Sequence, residues 1–73
     1  MKADEVILSD PDILGGTPVF KGTRVPVYNL FDYLEAGDSV NEFLDAFPSV
    51  KRDQVIAALE LARKDLLASA RAA

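Results

Sequence analysis

Apolar residues recur at helical spacing through the middle of the chain, with polar residues between them. In one segment they stand at positions i, i+3, i+4 and i+7, which lie on one face of a helix: Val27, Leu30, Phe31 and Leu34. Gly37 follows, at a position where a glycine in the left-handed conformation commonly ends a helix. The pattern predicts a first helix over about residues 27–36.

The same spacing returns in a second, shorter segment: Val40, Phe43, Leu44 and Phe47. Ser39 precedes this segment and Glu42 stands three residues later, which is the sequence of a capping box at a helix start. Pro48 disfavours helical backbone in the residue before it. A short second helix is therefore predicted between Ser39 and Pro48.

A third helix is predicted to begin near Lys51 or Arg52. Its inward face would carry five apolar residues: Val55, Ile56, Leu59, Ala62 and Leu66. Several alanines at other positions raise its helix propensity. The last turns extend past any core that two short helices could cover, so residues 68–73 are expected to form a frayed tail.

Residues 15–27, GGTPVFKGTRVPV, combine turn residues with residues that favour strands. Gly22 permits a positive φ, the two prolines fix φ, and the β-branched and aromatic residues prefer pleated backbone. This combination predicts a β-hairpin with Lys21 and Gly22 at its tip. Two arrangements are open for the N-terminal strand at residues 5–8, which either stays within its own chain or is exchanged between subunits.

A hairpin followed by three helices gives a mainly α fold with the layout of helix-turn-helix domains. Val50 is the expected apolar plug of the turn before the third helix. We expect one domain over residues 1–73, with the hairpin at 5–26 and the three helices at 27–67. Its predicted core consists of Phe20, Val25, Leu30, Phe31, Leu34, Phe43, Leu44, Phe47, Val55, Ile56 and Leu59.

The composition argues against catalysis. The chain of 73 residues contains no cysteine and no histidine, so the commonest general base and the usual zinc, copper and haem ligands are missing. We expect no enzymatic activity, no metal site and no cofactor. The N-terminal apolar run is far shorter than a membrane span, which favours a cytoplasmic protein without membrane contact. So small a core is marginal, and a dimer or a protein partner would support it.

Charge is distributed unevenly: residues 1–50 carry −6 and residues 51–73 carry +2, for a net charge of −4. In a helix-turn-helix protein the start of the last helix enters the major groove of DNA. Lys51 and Arg52 would then hold phosphates, and Gln54 would reach a base edge. The alternative is a solvated helix end, because specific DNA binders usually present a larger basic surface.

Arg24 lies inside the predicted hairpin, and its guanidinium offers five donors to a planar acceptor. We favour a structural role, in which Arg24 pairs with a helix carboxylate such as Asp32 or Glu35. Capping of carbonyl groups across a dimer interface and contact with DNA are the alternatives. A half-buried arginine that lost its partner would destabilise the fold by several kcal/mol.

Several of these motifs together resemble the small prokaryotic family known as domain of unknown function 433, over roughly residues 8–67. The motifs are Gly15-Gly16 with Pro18, Gly22-Thr23-Arg24-Val25-Pro26-Val27, Gly37 with Ser39, Phe47-Pro48 and the helix from Val55 to Leu59. The resemblance implies a homeodomain-like helix-turn-helix fold that dimerises through its N-terminal part. It also implies an antitoxin beside a PIN-type ribonuclease toxin. Similar members carry Thr or Ser in place of Lys51, as the N-cap of the third helix.

In such an antitoxin the C-terminal segment would lie in a groove of the toxin as an amphipathic helix. Leu61 and Leu67 would anchor it, and Arg63, Lys64 and Arg71 would face the acidic residues of the nuclease. The alternative is that Leu66 packs in a homodimer and that Leu67 frays together with the alanine-rich end.

Three functions are consistent with the sequence. The first is an antitoxin that neutralises its toxin by contact and, as a dimer, regulates its own operator DNA. A stand-alone DNA-binding regulator is the second, and a dimeric protein-binding module without DNA activity is the third.

Overall fold

The computed structural model describes residues 2–72. Four α-helices and two short strands follow one another along the chain: α1 (Ala3–Val6), β1 (Ile7–Leu8), β2 (Val19–Phe20), α2 (Tyr28–Glu35), α3 (Val40–Ala46) and α4 (Arg52–Ala72). A tight turn at Leu14–Gly16 lies between the strands. The protein is thus mainly helical, with a small antiparallel sheet near its N-terminus.

The sheet joins two segments that are distant in sequence. β1 and β2 pair antiparallel, with Ile7 opposite Phe20 and Leu8 opposite Val19. Val6, at the end of α1, is fully buried, and its carbonyl oxygen accepts a 2.8 Å hydrogen bond from the Lys21 amide. The prediction of a strand over residues 5–8 is wrong for residues 5 and 6, which belong to α1. The strand itself pairs within its own chain in this structure.

The predicted hairpin tip is confirmed, but the returning arm is not a regular strand. Gly22 has a φ of 83°, and the Thr23 amide donates to the Phe20 carbonyl oxygen at 3.0 Å. Beyond Thr23 the pairing consists of one isolated bridge, between Val19 and Pro26. Proline has no amide hydrogen to extend a ladder, so β2 finds its regular partner in β1 instead.

The helix-end signals in the sequence are confirmed. Gly37 has a φ of 91°, and the amide of Asp38 donates to the carbonyl oxygen of Tyr33 at 2.9 Å. This is the Schellman arrangement that satisfies the last carbonyl groups of a helix. Ser39 and Glu42 form the reciprocal capping box of α3, with hydrogen bonds of 3.1 and 3.2 Å.

Phe43 stands at the centre of the core. Its ring centroid lies 6.0 Å from that of Phe20, 5.6 Å from that of Tyr33 and 5.0 Å from that of Phe47. Val50 is 4% exposed, which confirms it as the apolar plug before α4. The buried residues of this cluster are Phe20, Leu30, Phe43, Val50, Val55 and Ala58.

Two predicted core residues are placed differently. Ile56 is 48% exposed, so its assignment to the core is wrong. Phe31 is partly buried but is not among the residues that pack against the core cluster. Ile56 follows Val55 by about 100° around the helix, and burial of Val55 and Ala58 turns it away from the core. Tyr33, which the apolar pattern omitted, packs against Phe43 and Phe47 instead.

α4 is the longest helix, at 21 residues, and only its first half reaches the core. Residues 63–71 are all exposed. The helix continues to Ala72, where a frayed tail was expected over 68–73, because its alanines have the highest helix propensity; Ala73 lies outside the described residues. Within residues 2–72, none of the helices combines the length and the apolar character that crossing a bilayer requires.

Candidate functional site

The start of α4 is fastened to the hairpin tip by Gln54. Its side-chain oxygen accepts a 3.0 Å hydrogen bond from the Lys51 amide. Its side-chain nitrogen donates a 2.9 Å bond to the carbonyl oxygen of Lys21. Gln54 thereby supplies one half of a capping box. Lys51 cannot supply the other half, because its side chain has no acceptor for the Gln54 amide. To reach a DNA base, Gln54 would have to leave both partners.

Arg52 and Lys51 have different surroundings. The Arg52 guanidinium donates a hydrogen bond to the side-chain oxygen of Asn41 on α3, so Arg52 ties α4 to the preceding helix. Lys51 is exposed. The structure therefore brings the three predicted DNA-binding residues to one helix end, with Arg52 and Gln54 already engaged in contacts between elements.

A hollow separates the hairpin tip from this helix end. Residues of four segments line it: Glu5, Lys21, Gly22, Ser49, Lys51, Asp53 and Gln54. Two lysines and two carboxylates face the same space, so their charges largely offset one another. Such a surface lacks the basic excess that phosphate binding requires.

Arg24 is exposed. Within residues 2–72 it takes part in neither a hydrogen bond nor an ion pair, and the carboxylates of Asp32 and Glu35 do not contact it. The neighbours of Arg24 in the sequence have structural roles in the fold. Gly22 adopts the positive φ of the tip, the Thr23 hydroxyl donates to the Phe20 carbonyl oxygen at 2.8 Å, and Val25 packs on the core. The structural pairing expected of Arg24 thus has no counterpart among the described residues.

The predicted partner-binding residues lie on the outer half of α4. Lys64 and Arg71 are exposed, Leu61 is partly buried, and Leu67 is 44% exposed. Arg63 forms an i,i+3 ion pair of 3.6 Å with Glu60, open to solvent. Leu66 continues the inward face beyond the core and is 71% exposed. One projecting helix therefore exposes two leucines and three cations: Leu66, Leu67, Arg63, Lys64 and Arg71.

An open groove on the outer surface of α4 was not predicted. Its lining comes from one helix: Arg52, Asp53, Ile56, Ala57, Glu60, Leu61 and Lys64. The sequence does contain a second series of residues at spacings of three and four on this face of the helix. The inward-facing series is more apolar and therefore dominated the pattern. This groove joins the predicted partner-binding residues to the exposed side chain of Ile56.

The carboxylates of the described residues show one perturbed pair. Hydrogen bonds from the Ser39 backbone and hydroxyl, with a smaller contribution from Asp38, lower the pKa of Glu42. The pKa of Asp38 is raised, mainly by partial desolvation and to a smaller extent by its hydrogen bond with Glu42 and the negative charge of that residue. Both effects belong to the capping of α3. Across residues 2–72, no three carboxylates come together in an arrangement that could hold a metal ion.

Comparison with known proteins gives a family but no activity. The chain is 51% identical over 53 residues to the uncharacterized protein y4eO of Sinorhizobium fredii (strain NBRC 101917 / NGR234), a match covering 73% of this chain and 24% of that protein. The chain thus spans about a quarter of its relative's length. No solved structure matches it. Residues 7–62 match the family described as Protein of unknown function (DUF433), and the chain therefore belongs to the DUF433 family.

Proposed function

We propose that this protein is a cytoplasmic, antitoxin-like inhibitor that binds a PIN-type ribonuclease through the exposed half of α4. The observation that carries the proposal is the exposure of Leu67, at 44%, on the part of α4 that extends beyond the core. Leucines at such positions bury themselves when an amphipathic helix enters a groove on another protein.

Charge supports the same partner. Arg63, Lys64 and Arg71 lie among the exposed residues 63–71, while the chain as a whole carries −4. A metal-dependent nuclease concentrates carboxylates at its active site, so cations on an entering helix would face groups of opposite charge. The family resemblance supplies the PIN-type nuclease as the class of toxin.

Operator DNA is the second proposed partner, bound by a dimer. The exposure of Lys51 and of Arg24 favours it, because neither side chain would have to break a hydrogen bond or an ion pair within residues 2–72 to reach a phosphate. Engagement of Arg52 and Gln54 within the fold weighs against it, so we place protein binding first. A stand-alone regulator would require DNA binding without any toxin.

The test is co-expression of the tagged chain with each immediately adjacent reading frame, followed by light scattering on the purified product. We expect a stable complex whose ribonuclease activity on single-stranded RNA appears only when this chain is removed. If no neighbouring product binds, or if the bound product has no ribonuclease activity, the antitoxin proposal is wrong.

A matched pair of variants locates the contact. Leu67→Asp places a charge on the proposed binding face, whereas Ser69→Asp places the same charge on the same helix about 160° away. Both positions are exposed, so both variants should fold. We expect Leu67→Asp to weaken the complex at least tenfold and Ser69→Asp to leave it intact; equal effects would contradict binding through this face.

A further inference from the structure

The outer surface of α4 carries a regular series of residues that takes no part in the core. Six residues recur at alternating spacings of four and three, and we call them the outer stripe: Asp53, Ala57, Glu60, Lys64, Leu67 and Arg71. At about 100° per residue they fall within an arc of about 80°. The buried residues Val55 and Ala58 lie on the opposite side of the helix.

The outer stripe is open to a partner. Five of its six residues are exposed and Ala57 is partly buried. Alternation of four and three is the spacing by which two helices pack knobs into holes. Within residues 2–72, however, no other element covers this face.

The order of the six residues makes the stripe complementary to itself when it is reversed. Read from opposite ends, Asp53 meets Arg71, Ala57 meets Leu67, and Glu60 meets Lys64. Each acid faces a base, and the small residue faces the large apolar one. Ile56, which is 48% exposed, lies at one edge of the stripe.

We propose that the outer stripe is a self-association surface, on which α4 of a second copy of this chain packs antiparallel with its centre level with Ala62. The twofold axis repeats every contact, giving four ion pairs and two contacts between Ala57 and Leu67. Parallel pairing in register would instead oppose Asp53 to Asp53 and Lys64 to Lys64, and like charges repel.

This surface differs from the N-terminal one implied by the family resemblance. It shares Lys64, Leu67 and Arg71 with the proposed ribonuclease contact, but purified protein alone tests it, so the two proposals can fail separately. Solvent-exposed ion pairs are individually weak, so we expect association at concentrations on the order of 100 µM. Salt should weaken it by screening the charges.

The test uses two charge-altered variants of the full chain. Asp53→Lys/Glu60→Lys makes every charge of the outer stripe positive, and Lys64→Glu/Arg71→Glu makes every charge negative. Each variant alone should be monomeric under low-salt conditions in which the natural chain dimerises. An equimolar mixture should again give a dimer, because every opposed pair then joins unlike charges. Sedimentation equilibrium measures all three masses.

Three results would overturn the proposal: a natural chain that stays monomeric at these concentrations, variants that dimerise as well as the natural chain, or a mixture that stays monomeric. Circular dichroism checks the fold of each variant.

Engineered disulfides provide a second test that leaves the charges unchanged. The natural chain has no cysteine. Oxidation of a mixture of Ala57→Cys and Leu67→Cys chains should give mainly the mixed disulfide, whereas Ala57→Cys with Ser69→Cys should not. No preference between the two mixtures would contradict antiparallel pairing in this register.

Discussion

The Gln54 side chain joins the first turn of α4 to the backbone of Lys21, 33 residues earlier in the chain, through a hydrogen bond of 2.9 Å. The same amide group accepts from Lys51 at 3.0 Å. One residue thus caps a helix and holds the hairpin tip against it. A residue that the sequence presented as a reader of DNA bases acts here as a connection between two elements.

Replacement of Gln54 should therefore destabilise the fold. Gln54→Ala removes both hydrogen bonds, and we expect the free energy of unfolding to fall by about 1–2 kcal/mol. Lys51→Ala is the matched control, since Lys51 is exposed and its loss should change stability by less than about 0.5 kcal/mol. Urea denaturation measures both. An unchanged midpoint for Gln54→Ala would mean that these bonds contribute nothing to stability.

Arg24→Ala should leave stability nearly unchanged, in contrast to the loss expected from sequence. The side chain is exposed and lacks an ion pair within residues 2–72, so we expect a change below about 0.5 kcal/mol. Thermal melting of the purified chain measures it. A large drop in melting temperature would show that Arg24 has a partner in solution, such as a second subunit.

The helix stop at Gly37 offers a test of backbone strain alone. Its φ is 91°, and a Cβ added there would meet nothing within 4 Å. Gly37→Ala should cost about 1–2 kcal/mol through the left-handed conformation. Leu14 has a φ of 50° and is 50% exposed, so Leu14→Gly, the reverse change, should be neutral or stabilising. Equal losses for both variants would contradict this account.

The capping box should make stability depend on pH. The folded protein lowers the pKa of Glu42, so it binds fewer protons there than the unfolded chain. This contribution is fully present above about pH 4.3 and is lost as the pH falls through the lowered pKa. Asp38, whose pKa is raised, acts in the opposite direction, because acid favours its folded form.

Two variants separate these contributions. Glu42→Gln keeps a side-chain oxygen for the Ser39 amide but cannot titrate, so its melting temperature should fall less on acidification than that of the natural chain. Asp38→Asn removes the opposing effect, and its melting temperature should fall more steeply. Melts between about pH 6 and about pH 3 decide the matter; parallel curves for all three chains would show that neither carboxyl is linked to folding.

Local signals made the helices predictable. Ser39 with Glu42 and Gly37 act within a few residues of their own helix ends, so their roles could be read directly from the sequence. The burial of Val50 was also predictable, because an apolar residue in a short polar turn between two helices is expected to pack against them.

Relationships between distant segments were not predictable. The burial of Val6 and the pairing of β1 with β2 depend on contacts across more than ten residues. Val55 and Ile56 are adjacent in α4 and both are apolar, so only the packing of other elements decides which of them is buried. Likewise, nothing near Gln54 in the sequence indicates the carbonyl group of Lys21.

α4 divides into two parts that selection can change separately. Its first half supplies Val55 and Ala58 to the core, whereas residues 63–71 are all exposed. Substitutions in the second half therefore carry little cost to folding, provided that they keep helix propensity. New partner specificities could arise there by few mutations, while the small core that must hold the chain together stays unaltered.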